Sequence, residues 1–334
     1  MKITKYILIA AIMSLGIEAY AGATDDLRQR LSEAVANGKT YFGHHDDTAY
    51  GHYWTAEQGR SDVLETTGKY PGMMSWDLGD LEWGKEKNLD GVNFDKIRQE
   101  VIAQHKRGGL NTFSWHVDHP LTGVDSWKTA DTTLVSQIVN TEAGRTAYAL
   151  QLDYLCDFFN SLVDENGNKV AVIFRPWHEH TGSWFWWGRD NCSVKDYKAL
   201  WTLMRDHFDA RGVDNILWAY SPDRCHDAET YLERYPGDEY VDILGADVYH
   251  FNNESGSEEY MKCAGTTLSI AVAEAAKRGK IAAFTETGLE GLQVADWFMT
   301  NLLPVLQAYP VAYVVVWRNA FHSPRHFFAP YTCL

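Results

Sequence analysis

The densest chemical signal in the 334-residue chain is the run Phe174-Arg175-Pro176-Trp177-His178-Glu179-His180-Thr181-Gly182-Ser183-Trp184-Phe185-Trp186-Trp187-Gly188. An apolar strand runs there straight into polar and aromatic residues, which folding alone does not require. Pro176 ends the strand, and Glu179 emerges beside two histidines and several tryptophans. Such surroundings desolvate a carboxyl group and raise its pKa, as suits a general acid. The plainer alternative is one surface acid among many. The second signal is Ile281-Ala282-Ala283-Phe284-Thr285-Glu286-Thr287-Gly288, a small-residue strand ending in an acid. Its alternative is an acid favoured by a helix N-terminus. Two carboxyl groups at the tips of non-adjacent strands can flank a bound sugar, one as acid and one as nucleophile.

These residues need a scaffold that brings strand tips together. Short apolar or β-branched runs alternate with amphipathic stretches about eight times. Strands are expected at Thr40 to His44, Gly72 to Asp77, Leu110 to His116, Val170 to Arg175, Ile216 to Ser221, Ile243 to Tyr249, Ile281 to Glu286 and Tyr313 to Arg318. Helices are expected at Glu57 to Thr67, Asp95 to Arg107, Thr146 to Val163, Val194 to Ala210, Ala228 to Tyr235, Glu258 to Lys277 and Val294 to Ala308. This alternation means βαβ crossovers, in a closed barrel or an open doubly wound sheet. No G-x-G-x-x-G follows the first strand, and His44, Asp77, His116, Glu179, Ser221, Tyr249, Glu286 and Arg318 fall at or just after eight strand ends. That is where barrel active sites are built, so the expected fold is an α/β (β/α)8 TIM barrel. No linker or repeat divides the chain, so residues 22–334 are expected to form one catalytic domain. No helical pattern follows the last strand, so the eighth helix is expected to be truncated or missing.

Arg175-Pro176-Trp177-His178-Glu179 with Trp184, Thr285-Glu286 and the closing Trp317-Arg318 resemble glycoside hydrolase family 26, best known for endo-β-1,4-mannanases. The likeness extends over nearly all of the chain after its first 21 residues. The acid/base of this barrel clan usually follows Asn, whereas the family has His, matched here by His178. The resemblance implies Glu179 as acid/base, Glu286 as nucleophile, and a retaining cut in mannan, galactomannan or glucomannan. It implies that His116 and His178 contact the sugar at the cleavage point, that Tyr249 hydrogen-bonds the nucleophile, and that Trp184 and Trp317 stack on sugars with Arg318 beside them. No metal and no cofactor is implied. The family usually continues past Phe327-Phe328-Ala329-Pro330-Tyr331 into a final helix that has no pattern here.

Several of these positions admit plainer readings: Tyr249 as an interface plug, Trp317 as core, His116 as a satisfied core histidine, Trp186 and Trp187 as loop packing. A metal hydrolase would draw on His44-His45-Asp46, His116, His119, His178 and His180, but no H-E-x-x-H is present. A non-catalytic carbohydrate-binding barrel would lose one of the two acids, and no G-x-S-x-G supports a serine nucleophile. Xylan or mixed-linkage β-glucan remain open as substrates, since a 2-hydroxyl is discriminated by a few pocket atoms.

The composition agrees with a neutral, ring-shaped substrate. There are 13 Trp, 18 Tyr and 14 Phe, and a net charge of -15 with scattered basic residues, which excludes a nucleic-acid partner. Tyr6 to Ile17 is a short apolar stretch preceded by Lys2 and Lys5 and followed by Ala19-Tyr20-Ala21. This is a signal-peptide pattern over residues 1–21, too short to span a bilayer of roughly 20 residues. The protein is expected to be exported to the periplasm or beyond, to act as a monomer and to keep no membrane contact after cleavage. Of five cysteines, Cys192 and Cys225 could form a bridge on neighbouring rim segments, or stand as two separate thiols.

Overall fold

The computed structural model describes residues 22–332, residue 252 excepted. The expected signal peptide and Cys333 lie outside the described residues. Eight parallel strands close a barrel: β1 (Tyr41–His45), β2 (Met73–Asp77), β3 (Leu110–Ser114), β4 (Val172–Arg175), β5 (Ile216–Tyr220), β6 (Ile243–His250), β7 (Ile281–Leu289) and β8 (Tyr313–Val316). β8 pairs with both β7 and β1, which closes the ring. Around it lie α1 (Ala23–Ala36), α2 (Asp62–Thr67), α3 (Phe94–Lys106), α4 (Leu134–Asn140), α5 (Glu142–Asn160), α6 (Val194–Ala210), α7 (Ala228–Leu232), α8 (Ser257–Arg278) and α9 (Leu303–Ala308). The expected TIM barrel is therefore present.

Strand side chains alternate between the lumen and the helical layer. Met73, Leu110, Ile173, Leu217, Ile243, Ile281 and Tyr313 form one buried cluster with Leu27 and Leu31 of α1, which thus closes the lower end of the barrel. Their neighbours Met74, Val172, Phe174, Trp218, Leu244, Phe284 and Val314 pack outward in a second cluster with the helices.

Four helices differ from expectation. The helix expected from Glu57 begins at Asp62, because Ser61 takes the N-cap position and accepts from Leu64 N at 2.9 Å. The helix expected over Val294 to Ala308 is a π-turn at Phe298–Leu302 followed by α9, where Pro304 lacks the N–H that an unbroken ladder needs. Helices α1 and α4 were not expected. Among the described residues no helix follows β8.

The segment after β8 is fastened by one side chain instead. Asn319 is fully buried; its Nδ2 donates to Asp62 Oδ2 at 2.8 Å and to Ala329 O at 3.1 Å, and its Oδ1 accepts from Phe328 N and Ala329 N. This lays Phe328 against Gly288 of β7, where an added Cβ would come within 2.4 Å of the ring, and within 5.7 Å of the Tyr249 ring. Asn319→Ala strands two buried N–H groups, one carbonyl and part of Asp62. The expected cost is about 2–4 kcal/mol, read as a lower urea midpoint with an unchanged denaturant slope.

Candidate active site

The inward parity of each strand carries through to its tip. Residues 73, 75 and 77 of β2, 173 and 175 of β4, and 243, 245, 247 and 249 of β6 share the lumen side, so Asp77, Arg175, Asp247 and Tyr249 crown the same interior whose floor is apolar. On β7 plain alternation would turn Glu286 outward. The register slips on both sides of this strand: Ala246 pairs with Phe284 but Asp247 with Glu286, and Val314 pairs with Phe284 but Val316 with Thr287. This bulge carries one extra residue, so Thr285 and Glu286 both face inward. Bulges re-aim side chains in this way beside active sites. Thr285 Oγ1 donates to Asp247 Oδ1 at 2.6 Å, while Thr287, back on the outer face, bonds Tyr260 of α8 at 2.8 Å.

Arg175 is the one cation at the centre of this group. Its Nη1 donates to Asp247 Oδ2 at 2.7 Å and its Nη2 to Glu286 Oε2. Ser221 also donates to Asp247 Oδ2, at 3.0 Å, and Tyr249 Oη donates to Glu286 Oε1 at 2.5 Å. One oxygen each of Glu179, Asp247 and Glu286 lies within 4.8 Å of the other two. Burial pushes Asp247 up to about 8, opposed by Arg175. Burial, then the charges of Glu286, Asp247 and Asp223, hold Glu179 well above the usual carboxylate range, opposed by the Trp184 indole donating to its Oε2 at 2.6 Å. Three carboxyl groups thus surround one guanidinium, and the carboxyl without a cationic partner is Glu179.

Glu179 reaches the site through a constrained backbone. Trp177 and Glu179 have φ of 54° and 52°, a left-handed conformation that bulky residues rarely adopt. The strand above Pro176 is pinned at successive groups: Tyr197 Oη donates to Trp177 O at 2.8 Å, Trp187 Nε1 to His178 O at 2.9 Å, and Glu179 N to Ser221 O at 2.8 Å. Trp186 and Trp187 are fully buried and their N–H groups go to backbone carbonyls, so both pack the loop.

The walls are aromatic. His116 is held by Asp77, which accepts its Nδ1 at 2.7 Å along with Ser114 Oγ and Gly79 N. Burial pushes the Asp77 carboxyl up, but His116 and these donors overcome it and hold it well below the usual range. With Nδ1 bound to that carboxylate, the His116 ring is fixed in orientation. His178 lies at 4.7 Å from His116 and burial keeps its imidazole neutral. Trp184 is 42% exposed, and Trp317 stacks on His45 at 4.0 Å. Arg318 is engaged by Asp90 and lies 3.4 Å from Tyr50 Oη. The structure therefore gathers Glu179, Glu286, Tyr249, His116, His178 and Trp184 by direct contacts or ring neighbours, with Trp317 at 6.1 Å from His116 and Arg318 next along the chain. It also adds Trp127, 50% exposed and stacked on His116 at 5.1 Å, from a loop with no periodic signal.

Of the histidines in the metal reading, His116 and His178 are neighbours at 4.7 Å, while His44 and His119 are engaged elsewhere. His44 bonds Asp47, and His119 bonds Thr122 and the Leu134 carbonyl. Among the described residues, two groups of three donors are close enough to hold an ion, His45 with Asp46 and Asp90, and Glu179 with Asp247 and Glu286. Arg318 already sits on Asp90 in the first, and Arg175 on both Asp247 and Glu286 in the second. The bridge between Cys192 and Cys225 is not formed: Cys192 Sγ lies 3.3 Å from Trp187 O and Cys225 Sγ 3.4 Å from Asp223 O, both as free thiols.

Comparison with known proteins places this geometry. The family model for glycosyl hydrolase family 26 matches residues 24–302. The chain belongs to glycosyl hydrolase family 26. A β-mannanase of family 26 from Bacteroides ovatus superposes with a TM-score of 0.89 at 46% identity, over 92% of this chain and 89% of that one. A mannan endo-1,4-beta-mannosidase of Bifidobacterium adolescentis is 33% identical over 80% of this chain, and another from Caldalkalibacillus mannanilyticus is 32% identical over 90%. The chain spans 27% of the length of the first and 56% of the second. In this family 26 chain the raised Glu179 has a consequence for stability. A carboxyl whose folded pKa exceeds its unfolded value binds more protons folded than unfolded, so stability is full below the ordinary 4.5 and falls as pH rises toward the folded value. Glu179→Gln removes that loss. The variant is expected to match wild type in acid and to unfold at higher temperature above about pH 5, the gap widening with pH in paired thermal scans.

Proposed function

We propose that the protein is an exported, retaining endo-β-1,4-mannanase acting on mannan, galactomannan or glucomannan, with one catalytic unit over residues 22–334 and no metal or cofactor in the reaction. The observation that carries this reading is the approach of the Glu179 and Glu286 oxygens within 4.8 Å, inside a family 26 barrel. Retaining glycosidases hold their carboxyl groups about 5 to 5.5 Å apart, and inverting ones farther apart to admit a water. The names of the relatives support mannan as the substrate, and the sequence pattern of residues 1–21 supports export.

Glu179, kept protonated, gives its proton to the glycosidic oxygen as the C1–O bond breaks. A Glu286 oxygen bonds to C1 and forms the glycosyl-enzyme. Glu179, now ionised, takes a proton from water, whose oxygen attacks C1 and displaces Glu286. Arg175 and Tyr249 donate to the two oxygens of the nucleophile and aim it. His116 and His178 accept or donate at the sugar held at the cleavage point, and Trp184 and Trp317 offer ring faces, with Arg318 beside them.

Linear mannan, galactomannan, xylan and lichenan assayed side by side are expected to show cleavage of the mannans first. Proton NMR of the earliest product is expected to show the β-anomer, and an initial α-anomer would overturn Glu286 as nucleophile. Glu286→Ala is expected to abolish turnover of every substrate. Glu179→Ala is expected to lose roughly 10²–10⁴-fold on mannan, the usual worth of general acid catalysis, yet still form the glycosyl-enzyme from aryl mannosides with good leaving groups. Mass spectrometry of the trapped adduct reads the difference.

A further inference from the structure

The motif His44-His45-Asp46 lies at the tip of β1, next to β8, and the proposed reaction uses none of it. The strand register sets its place. Gly43 pairs with Val315 and His44 with Val316, while on the other side His45 pairs with Ser75. Ser75 and Val315 lie on the lumen side, so His45 and Trp317 come level there at adjacent strand tips. Their rings stack, with centroids 4.0 Å apart and planes 22° apart. His45 is fully buried whereas Trp317 is half-buried, so the imidazole backs an indole that is still partly open. The backing is itself held. Ser75 Oγ bonds His45 Nδ1 at 2.9 Å, and the Ser75 carbonyl accepts from Asp46 N at 2.8 Å. Burial pushes the His45 pKa well below the usual imidazole range, so the ring beneath Trp317 is neutral. The next residue on each strand is tied across as well: Tyr50 Oη donates to Asp46 Oδ2 at 2.7 Å and accepts from Arg318 Nη1 at 3.4 Å, and Arg318 engages Asp90. Trp317 is thus held through its ring and through the side chain that follows it.

We propose that His45 is a positioning residue for the reaction, backing Trp317 so that the indole is already fixed when a sugar arrives. This role rests on the mannanase reading, in which Trp317 is a sugar platform. An indole free to turn about its side-chain bonds would have to be ordered by the substrate, at a cost in binding. A ring seated on His45 has lost that freedom in folding. The contact with the sugar then acts at full strength in the bound state and in the transition state.

The test is a double-mutant cycle read in kcat/KM for mannotetraose. His45→Asn keeps a polar group toward Ser75 and removes the ring, and is expected to lower kcat/KM about tenfold. In a Trp317→Ala background the same change is expected to stay within about twofold, because the indole it served is gone. His45→Phe, which keeps a ring and loses the Ser75 bond, is expected to stay within about threefold of wild type. His45→Leu, which fills the space without a flat face, is expected to repeat the His45→Asn result and serves where that variant does not fold; cooperative thermal unfolding shows which variants fold. A merely structural His45 gives the same loss in both backgrounds, and that outcome, or an unchanged kcat/KM without the ring, overturns the proposal. A Trp317→Ala enzyme as active as wild type overturns Trp317 as a platform and the role of His45 with it. A wild-type protein that leaves both mannan and mannotetraose uncut overturns the mannanase reading itself.

Discussion

The site depends on a single buried guanidinium. Arg175 lies 3% exposed among Asp247, Glu286 and, one step farther, Glu179. Removing an ion from water costs several kcal/mol, and one partner only partly repays it. Here one cation serves two carboxylates and leaves a third acid unserved. Two like charges 4 Å apart repel by about 4 kcal/mol at a protein-like dielectric, so the cluster retains a proton. Burial and the neighbouring acids hold Glu179 well above the usual carboxylate range, and Arg175 and Tyr249 both donate to Glu286 whereas Glu179 accepts an indole N–H. The inequality of the two glutamates therefore follows from where one arginine points.

Much of this was legible in the sequence because a barrel strand changes character at its tip. Eight apolar runs ending in polar residues located the eight strands to within a few residues, and the two acids with them. Glu286 was legible for an incomplete reason. Its place at a strand end is plain in Ile281 to Glu286, but strict alternation would have turned it into the helical layer. The extra residue at Thr285 brings it inward, and no local turn residue announces that bulge. The backbone irregularity arises from pairing with two neighbours at once, Asp247 on one side and Val316 on the other, which is tertiary information.

The parts that were not legible have the same origin. Asp77 and Asp247 look like ordinary strand-end acids until His116 and Arg175 are seen beside them. Trp127 sits in a stretch without periodicity and gains a role only by lying on His116. Helix α1 begins immediately after the leader-like segment and carries few apolar residues, yet Leu27 and Leu31 suffice to close the lower barrel. Nor was the fastening of the described segment after β8 legible: one asparagine satisfying four backbone or side-chain groups has no pattern in sequence, only a position in space.

The backbone at Trp177 and Glu179 shows how the fold supports this chemistry. Two non-glycine residues in the left-handed region cost about 1–3 kcal/mol each, and persist only where their surroundings over-determine them. Those surroundings are here the tryptophan-rich loop itself, since Trp187 and Tyr197 hold the two carbonyls before Glu179 while Ser221 of the neighbouring strand end holds its N–H. A relaxed path would let Glu179 turn toward water, where its carboxyl would ionise at an ordinary pH. The buried indoles of Trp186 and Trp187 therefore act on the proposed chemistry without touching substrate, by fixing a strained backbone that keeps one acid desolvated opposite Glu286.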